Sequence, residues 1–99
     1  MGRLTPDYTS AFSRDVKRLN KKHVDLAPLE ELITLVCANN QASLDILKRR
    51  HEMHTLKGTW HGAHECHIAN AGDWLVIWKT ANGVAVFQRT GTHDDLFRK

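Results

Sequence analysis

Cysteine is scarce in this 99-residue chain: Cys37 and Cys66 stand alone, and there is no C-x-x-C. That excludes a disulfide framework and a thiol redox motif, and fits a reducing, cytoplasmic compartment. Long apolar runs are missing too. No stretch reaches the roughly 18 uncharged apolar residues of a membrane span. Met1 to Pro6 lacks the apolar core of a secretory signal, so neither membrane insertion nor export is expected. Nor is there a linker or an internal repeat. One domain over residues 1–99 is therefore expected, since roughly 100–150 residues make a typical domain. The hydrophobic fraction of 41% lies near the globular average and excludes wholesale disorder.

What is present is unevenly spread. Residues 1–50 hold 9 Lys/Arg against 6 Asp/Glu, and residues 51–99 hold 5 of each. The net charge of +3 thus sits in the first half and permits a polyanionic partner. Histidine does the opposite: His23 is alone in the first half, and the other six of seven lie between His51 and His93. With unperturbed pKa values of about 6.5, these can be partly protonated near neutral pH. The pattern implies a scaffold half and a chemical half.

The hydrophobic period supports an α+β domain. Residues 3–8, interrupted by Pro6, fit only an edge strand. Thr9 or Ser10 caps a helix reaching about Lys22, with Phe12, Val16, Leu19 and His23 on one face. Arg14, Lys17, Arg18, Lys21 and Lys22 lie opposite. A second helix begins at Pro28, buries Leu29, Leu32, Ile33, Val36 and Cys37, and ends at Asn39-Asn40. The short link predicts an antiparallel helical hairpin. Residues 41–53 read as a loop or frayed turn ending in Lys48-Arg49-Arg50. From Leu56 the period becomes two, with strands over 63–69, around Trp74 to Trp78, and from Val84 to Arg89. Trp74, Val76 and Trp78 alternate with Leu75 and Ile77, so that strand is apolar on both sides and central. Asn82-Gly83 marks a tight hairpin, and Thr92 caps a last turn from Asp94 to Phe97. The expected fold is a helical hairpin on a small antiparallel sheet, closed by a short C-terminal helical turn.

Three readings of the histidines stand. His51-x2-His54 and His61-x2-His64-x2-His67 have suggestive metal-ligand spacing. However, strand residues three apart face opposite ways, and paired cysteines are absent. No metal or organic cofactor is expected. A second reading makes the histidines scattered surface or satisfied core residues, which suits His23, His51, His61 and His64. The third is acid–base cleavage of RNA, with a base for the ribose 2′-hydroxyl, an acid for the departing 5′-oxygen and cations for the phosphate. His54, His67, Asp73, Arg89 and His93 supply those residue types.

The segments His54 to Gly58, Gly62 to Ile68, Asp73 to Ile77, and above all Arg89-Thr90-Gly91-Thr92-His93-Asp94-Asp95-Leu96-Phe97 resemble the YafQ-type toxins of bacterial type II toxin–antitoxin systems. These belong to the RelE/ParE superfamily. The likeness implies that fold and a ribosome-dependent mRNA endoribonuclease held inactive by an antitoxin in a hetero-oligomer. It implies catalytic roles for His54, His67, Asp73, His93 and Phe97, with His93 the general acid and Phe97 packing on a base. It implies phosphate contacts for Arg89, while Lys48, Arg49, Arg50 and the basic helix face would meet ribosomal RNA and mRNA.

The chain departs from the family pattern at three points. Thr55 replaces a usual proline, His64 stands at a usual arginine, and the His67–Asp73 spacing is about two residues long, which puts the Asp73–His67 pairing in question. Two rival readings follow, a gyrase-directed ParE-like toxin without acid–base chemistry and a non-catalytic RNA- or ribosome-binding module.

Overall fold

The computed structural model describes residues 2–68 and 73–97. The elements run β1 (Thr5–Tyr8), α1 (Ser10–Lys21), α2 (Ala27–Ala38), α3 (Gln41–His51), β2 (His54–Thr55), a single 3-10 turn (Gly58–Trp60), β3 (His64–His67), β4 (Leu75–Ala81), β5 (Val84–Gly91) and α4 (His93–Phe97). One sheet has the order β1-β5-β4-β3-β2. Pro6 does fall in an edge strand, but β1 runs parallel to β5, so the sheet is mixed rather than antiparallel throughout. The other pairings are antiparallel.

Local chemistry explains most boundaries. The Thr9 hydroxyl accepts from the Phe12 amide and starts α1. His23 lies past that helix, in a left-handed conformation and exposed, so it leaves the apolar stripe assigned to it. Asn82 (φ 52°) and Gly83 (φ 77°) make the β4–β5 turn with both central residues at positive φ. One further expectation needs correction. Residues 41–53 are not a loop: α3 fills most of them, with Asn40 Oδ1 accepting from the Ser43 amide and Ser43 Oγ accepting from the Asn40 amide. Between β2 and β3, Gly58 turns left-handed and opens the 3-10 turn. The turn assigned to Asn70-Ala71-Gly72 lies outside the described residues.

Replacing Asn40 with Ala is expected to lower stability by about 1 kcal/mol. The urea unfolding midpoint measures this.

Helices cover one face of the sheet. Phe12, Leu29, Leu32, Val36 and Leu47 from α1–α3 pack on Cys66, Trp74, Val76, Trp78, Ala85 and Phe87. The tight helix–helix packing is between α2 and α3, while α1 rests on β5. Leu75 and Ile77 face away from that core and join Ala63, Leu56, Trp60 and Leu96 in a smaller cluster. β4 is therefore buried on both sides, as its sequence implies. The second face, covered among the described residues by α4 and the 3-10 turn, carries His54, His67 and His93.

Candidate active site

The two-residue period of β3 sorts its side chains. His64 and Cys66 turn toward the helices: His64 packs against Trp78 with ring centroids 5.6 Å apart, and Cys66 is fully buried. Burial holds the His64 imidazole below its ordinary pKa and pushes the Cys66 thiol well up. A neutral, half-buried His64 cannot supply the charge of an arginine. Glu65 and His67 turn to the other face, opposite Ile77 and Leu75.

His54, from edge strand β2, pairs across to Glu65. Its Nε2 lies 3.1 Å from Glu65 Oε1, and His67 Nε2 lies 4.0 Å from the same oxygen. The His54 Nδ1 is 2.8 Å from the Glu52 carbonyl. A carbonyl only accepts, so Nδ1 carries a hydrogen. Nε2 then meets a carboxylate oxygen that, when ionised, also only accepts. Nε2, without a hydrogen in the neutral ring, is the nitrogen that can take one up, and the Glu65 carboxylate beside it offsets the charge that results. Glu65 is 4% exposed and its second oxygen, Oε2, has no hydrogen-bond partner among the described residues.

His93 opens α4. Its backbone N–H donates to Asp73 Oδ1 at 3.0 Å, and its Nδ1 donates to the same oxygen at 2.5 Å. The His93 amide bond and the imidazole bond hold the Asp73 carboxyl below its usual range, so it stays ionised. Nδ1 being committed, the His93 Nε2 is the nitrogen left for chemistry. The ring centroids step from His54 to His67 (6.4 Å), His67 to His93 (6.0 Å) and His93 to Phe97 (6.1 Å). Three histidines from β2, β3 and α4 thus form one row, and Asp73 serves His93 rather than His67.

Not every candidate joins the row. Arg89 is bound to Asp15 of α1, through Nε at 2.7 Å and Nη2 at 3.1 Å. That bond to the carboxylate raises the guanidinium pKa. Asp15, 2% exposed, also accepts from the Thr90 amide at 3.1 Å and faces Arg18 at 3.2 Å. Arg18 reaches on to Asp95 (3.6 Å), while Thr92 and Asp95 cap each other at the start of α4. Gly91 sits at φ 151°, and a Cβ there would come within 2.9 Å of Asp95 Oδ2. This network seats α4, and with it His93. Lys48, Arg49 and Arg50 form an exposed basic turn at the end of α3. His51 is satisfied by the His67 carbonyl (2.9 Å), and His23 and His61 are exposed.

Glu65 is the residue at the row that the sequence alone did not single out. Its spacing of two from His67 was a usable signal, whereas its pairing with His54 is set by the β2–β3 register. Among the described residues, no three His, Cys, Asp or Glu side chains are grouped to hold one ion.

A row of imidazoles with carboxylate partners on an open sheet face is an arrangement that can exchange protons at the protein's surface. Residues 4–98 match the family model described as the bacterial toxin of type II toxin–antitoxin systems, YafQ. The chain is 36% identical over 91 residues, 92% of each sequence, to the mRNA interferase toxin YafQ of Escherichia coli strain K12. The toxin in the E. coli DinJ–YafQ toxin–antitoxin complex superposes with TM-score 0.80 at 34% identity, covering 96% of this chain and 98% of that one. A metal-bound toxin from Helicobacter pylori gives 0.77 at 28% identity, covering 95% and 99%. The chain belongs to the YafQ family of type II toxin–antitoxin toxins.

Proposed function

We propose that this protein is an mRNA interferase, an endoribonuclease that cuts translated mRNA in the ribosomal A site by acid–base catalysis without metal. The observation that carries the reading is the row of His54, His67 and His93 with two separate carboxylates at its ends. The E. coli relative's name as an mRNA interferase supports it.

In this reading the His54–Glu65 pair takes the proton of the ribose 2′-hydroxyl. The 2′-oxygen attacks phosphorus, the bond to the 5′-oxygen breaks, and His93 Nε2 delivers the leaving oxygen its proton. The products are a 2′,3′-cyclic phosphate and a 5′-hydroxyl. Asp73 keeps the His93 ring oriented and offsets the charge of its protonated form. His67, between the two, touches the phosphorane-like oxygens and offsets their charge when protonated. Phe97 packs against a base, and aromatic faces stack on bases irrespective of sequence. Lys48, Arg49 and Arg50 neutralise RNA phosphates, giving salt-dependent affinity. Arg89 adds its charge from a place fixed by Asp15, seating the strand end that leads to His93. A cognate antitoxin in a hetero-oligomer keeps the toxin inactive, as the DinJ–YafQ complex supports by likeness.

The test is cleavage of mRNA on programmed ribosomes with 1,10-phenanthroline in excess, a nitrogen chelator that takes transition metals and spares Mg²⁺. Full cleavage is expected. Loss of cleavage, restored by added Zn²⁺ or Cu²⁺, would contradict the metal-free step.

A further inference from the structure

One cleft beside the histidine row remains without a role. It has a volume of about 460 Å³ and is lined by Leu56, Lys57, Thr59, Trp60, Leu96 and Phe97. That is within the roughly 300–1,000 Å³ typical of ligand pockets. Trp60 and Phe97 stand nearly perpendicular (82°) with centroids 6.4 Å apart. Two perpendicular aromatic walls make a corner that accepts one flat ring system, face against one wall and edge toward the other. Phe97 is 37% exposed, one of two exposed large hydrophobic side chains among the described residues. Leu56 and Leu96 form an apolar floor, and exposed Lys57 and Thr59 supply a cation and a hydroxyl at the rim.

The position of the cleft fixes which part of a substrate reaches it. Phe97 lies one helical turn beyond His93, with ring centroids 6.1 Å apart. Through Phe97 the cleft adjoins the His93 end of the row, while Leu56 and Lys57, following β2, make its other wall. A proton donor at His93 serves the leaving 5′-oxygen, which belongs to the nucleotide 3′ of the cut. We infer that the Trp60–Phe97 corner binds the nucleobase immediately 3′ of the scissile phosphate, with Lys57 beside the next phosphate. This rests on the nuclease reading above and adds Trp60 to it as a residue that touches substrate.

Removing the base tests this separately from removing the tryptophan. Cleavage on programmed ribosomes is measured for intact mRNA and for mRNA abasic at the 3′ nucleotide, with wild type and Trp60→Ala. Wild type is expected to lose roughly ten- to a hundredfold in kcat/KM on the abasic mRNA, and Trp60→Ala a similar factor on intact mRNA. The two losses do not add, and Trp60→Phe retains most activity. A purely packing role for Trp60 predicts equal responses of both proteins to the missing base, and that result overturns the inference. So does a Trp60→Ala protein that cleaves normally but escapes its antitoxin, which would make the corner an antitoxin dock. If Trp60→Ala fails to fold, Trp60→Leu keeps the apolar packing, loses the aromatic face and carries the same comparison. Wild-type protein that cuts no RNA at all refutes the nuclease reading itself.

Discussion

Replacing His93 with Ala is expected to remove cleavage by a factor of roughly 10² to 10⁴, the contribution of one positioned proton donor. Growth inhibition disappears with it. The fold survives, because the His93 side chain is 54% exposed and its amide still reaches Asp73. Circular dichroism and Tm are expected to match wild type. Asp73→Asn separates orientation from charge: the amide oxygen still accepts from Nδ1, but the negative charge opposite the ring is gone. Its cleavage rate is expected to fall between wild type and His93→Ala. A His93→Ala protein that still cuts mRNA at the wild-type rate would move the acid elsewhere in the row.

The largest stability loss is expected at a residue far from the substrate. Asp15 sits on the apolar side of α1, three residues after Phe12, and is almost wholly buried. Asp15→Ala strips Arg89 of its two hydrogen bonds to that carboxylate, leaves the buried Thr90 amide unpaired and removes one of the two carboxylates that face Arg18. Removing one member of a buried ion pair costs about 3–5 kcal/mol. The partial exposure of Arg89 and Arg18 places this case near the lower bound. For a domain of this size the fall in Tm exceeds about 10 °C. Asp15→Asn keeps an acceptor for Thr90 and is expected to lose less. A change of under about 1 kcal/mol in Asp15→Ala would mean that the pair behaves like a screened surface contact.

How much of this was legible in the sequence depends on how local the cause is. Caps and turns are local: Thr9, Pro28, Asn82-Gly83 and Thr92 all mark real boundaries, and the double-sided apolar run of β4 marks the central strand. α3 was obscured because Asn39 and Asn40 each do a different job. Asn39 closes α2 in a left-handed conformation, and its neighbour caps the next helix, so two helices abut with no loop. The parallel β1–β5 pairing joins the two ends of the chain and leaves no local trace.

The site divides the same way. Histidine counts and the Arg89 to Phe97 segment drew attention to the residues that form the row. The pairing of Glu65 with His54 enters only through the β2–β3 register, and the hold of Asp15 on Arg89 only through packing of α1 on β5. An acid on the buried stripe of an otherwise basic helix was the available sign of that ion pair.

The most direct test is to map the ends of cellular transcripts after expression of the toxin without antitoxin. Cuts within translated reading frames are expected, in phase with codons, leaving 2′,3′-cyclic phosphate (or its opened 3′-phosphate) upstream and 5′-hydroxyl downstream. Transcripts left whole, or cut to give 5′-phosphate and 3′-hydroxyl ends, would contradict proton transfer at a ribose by this row of histidines.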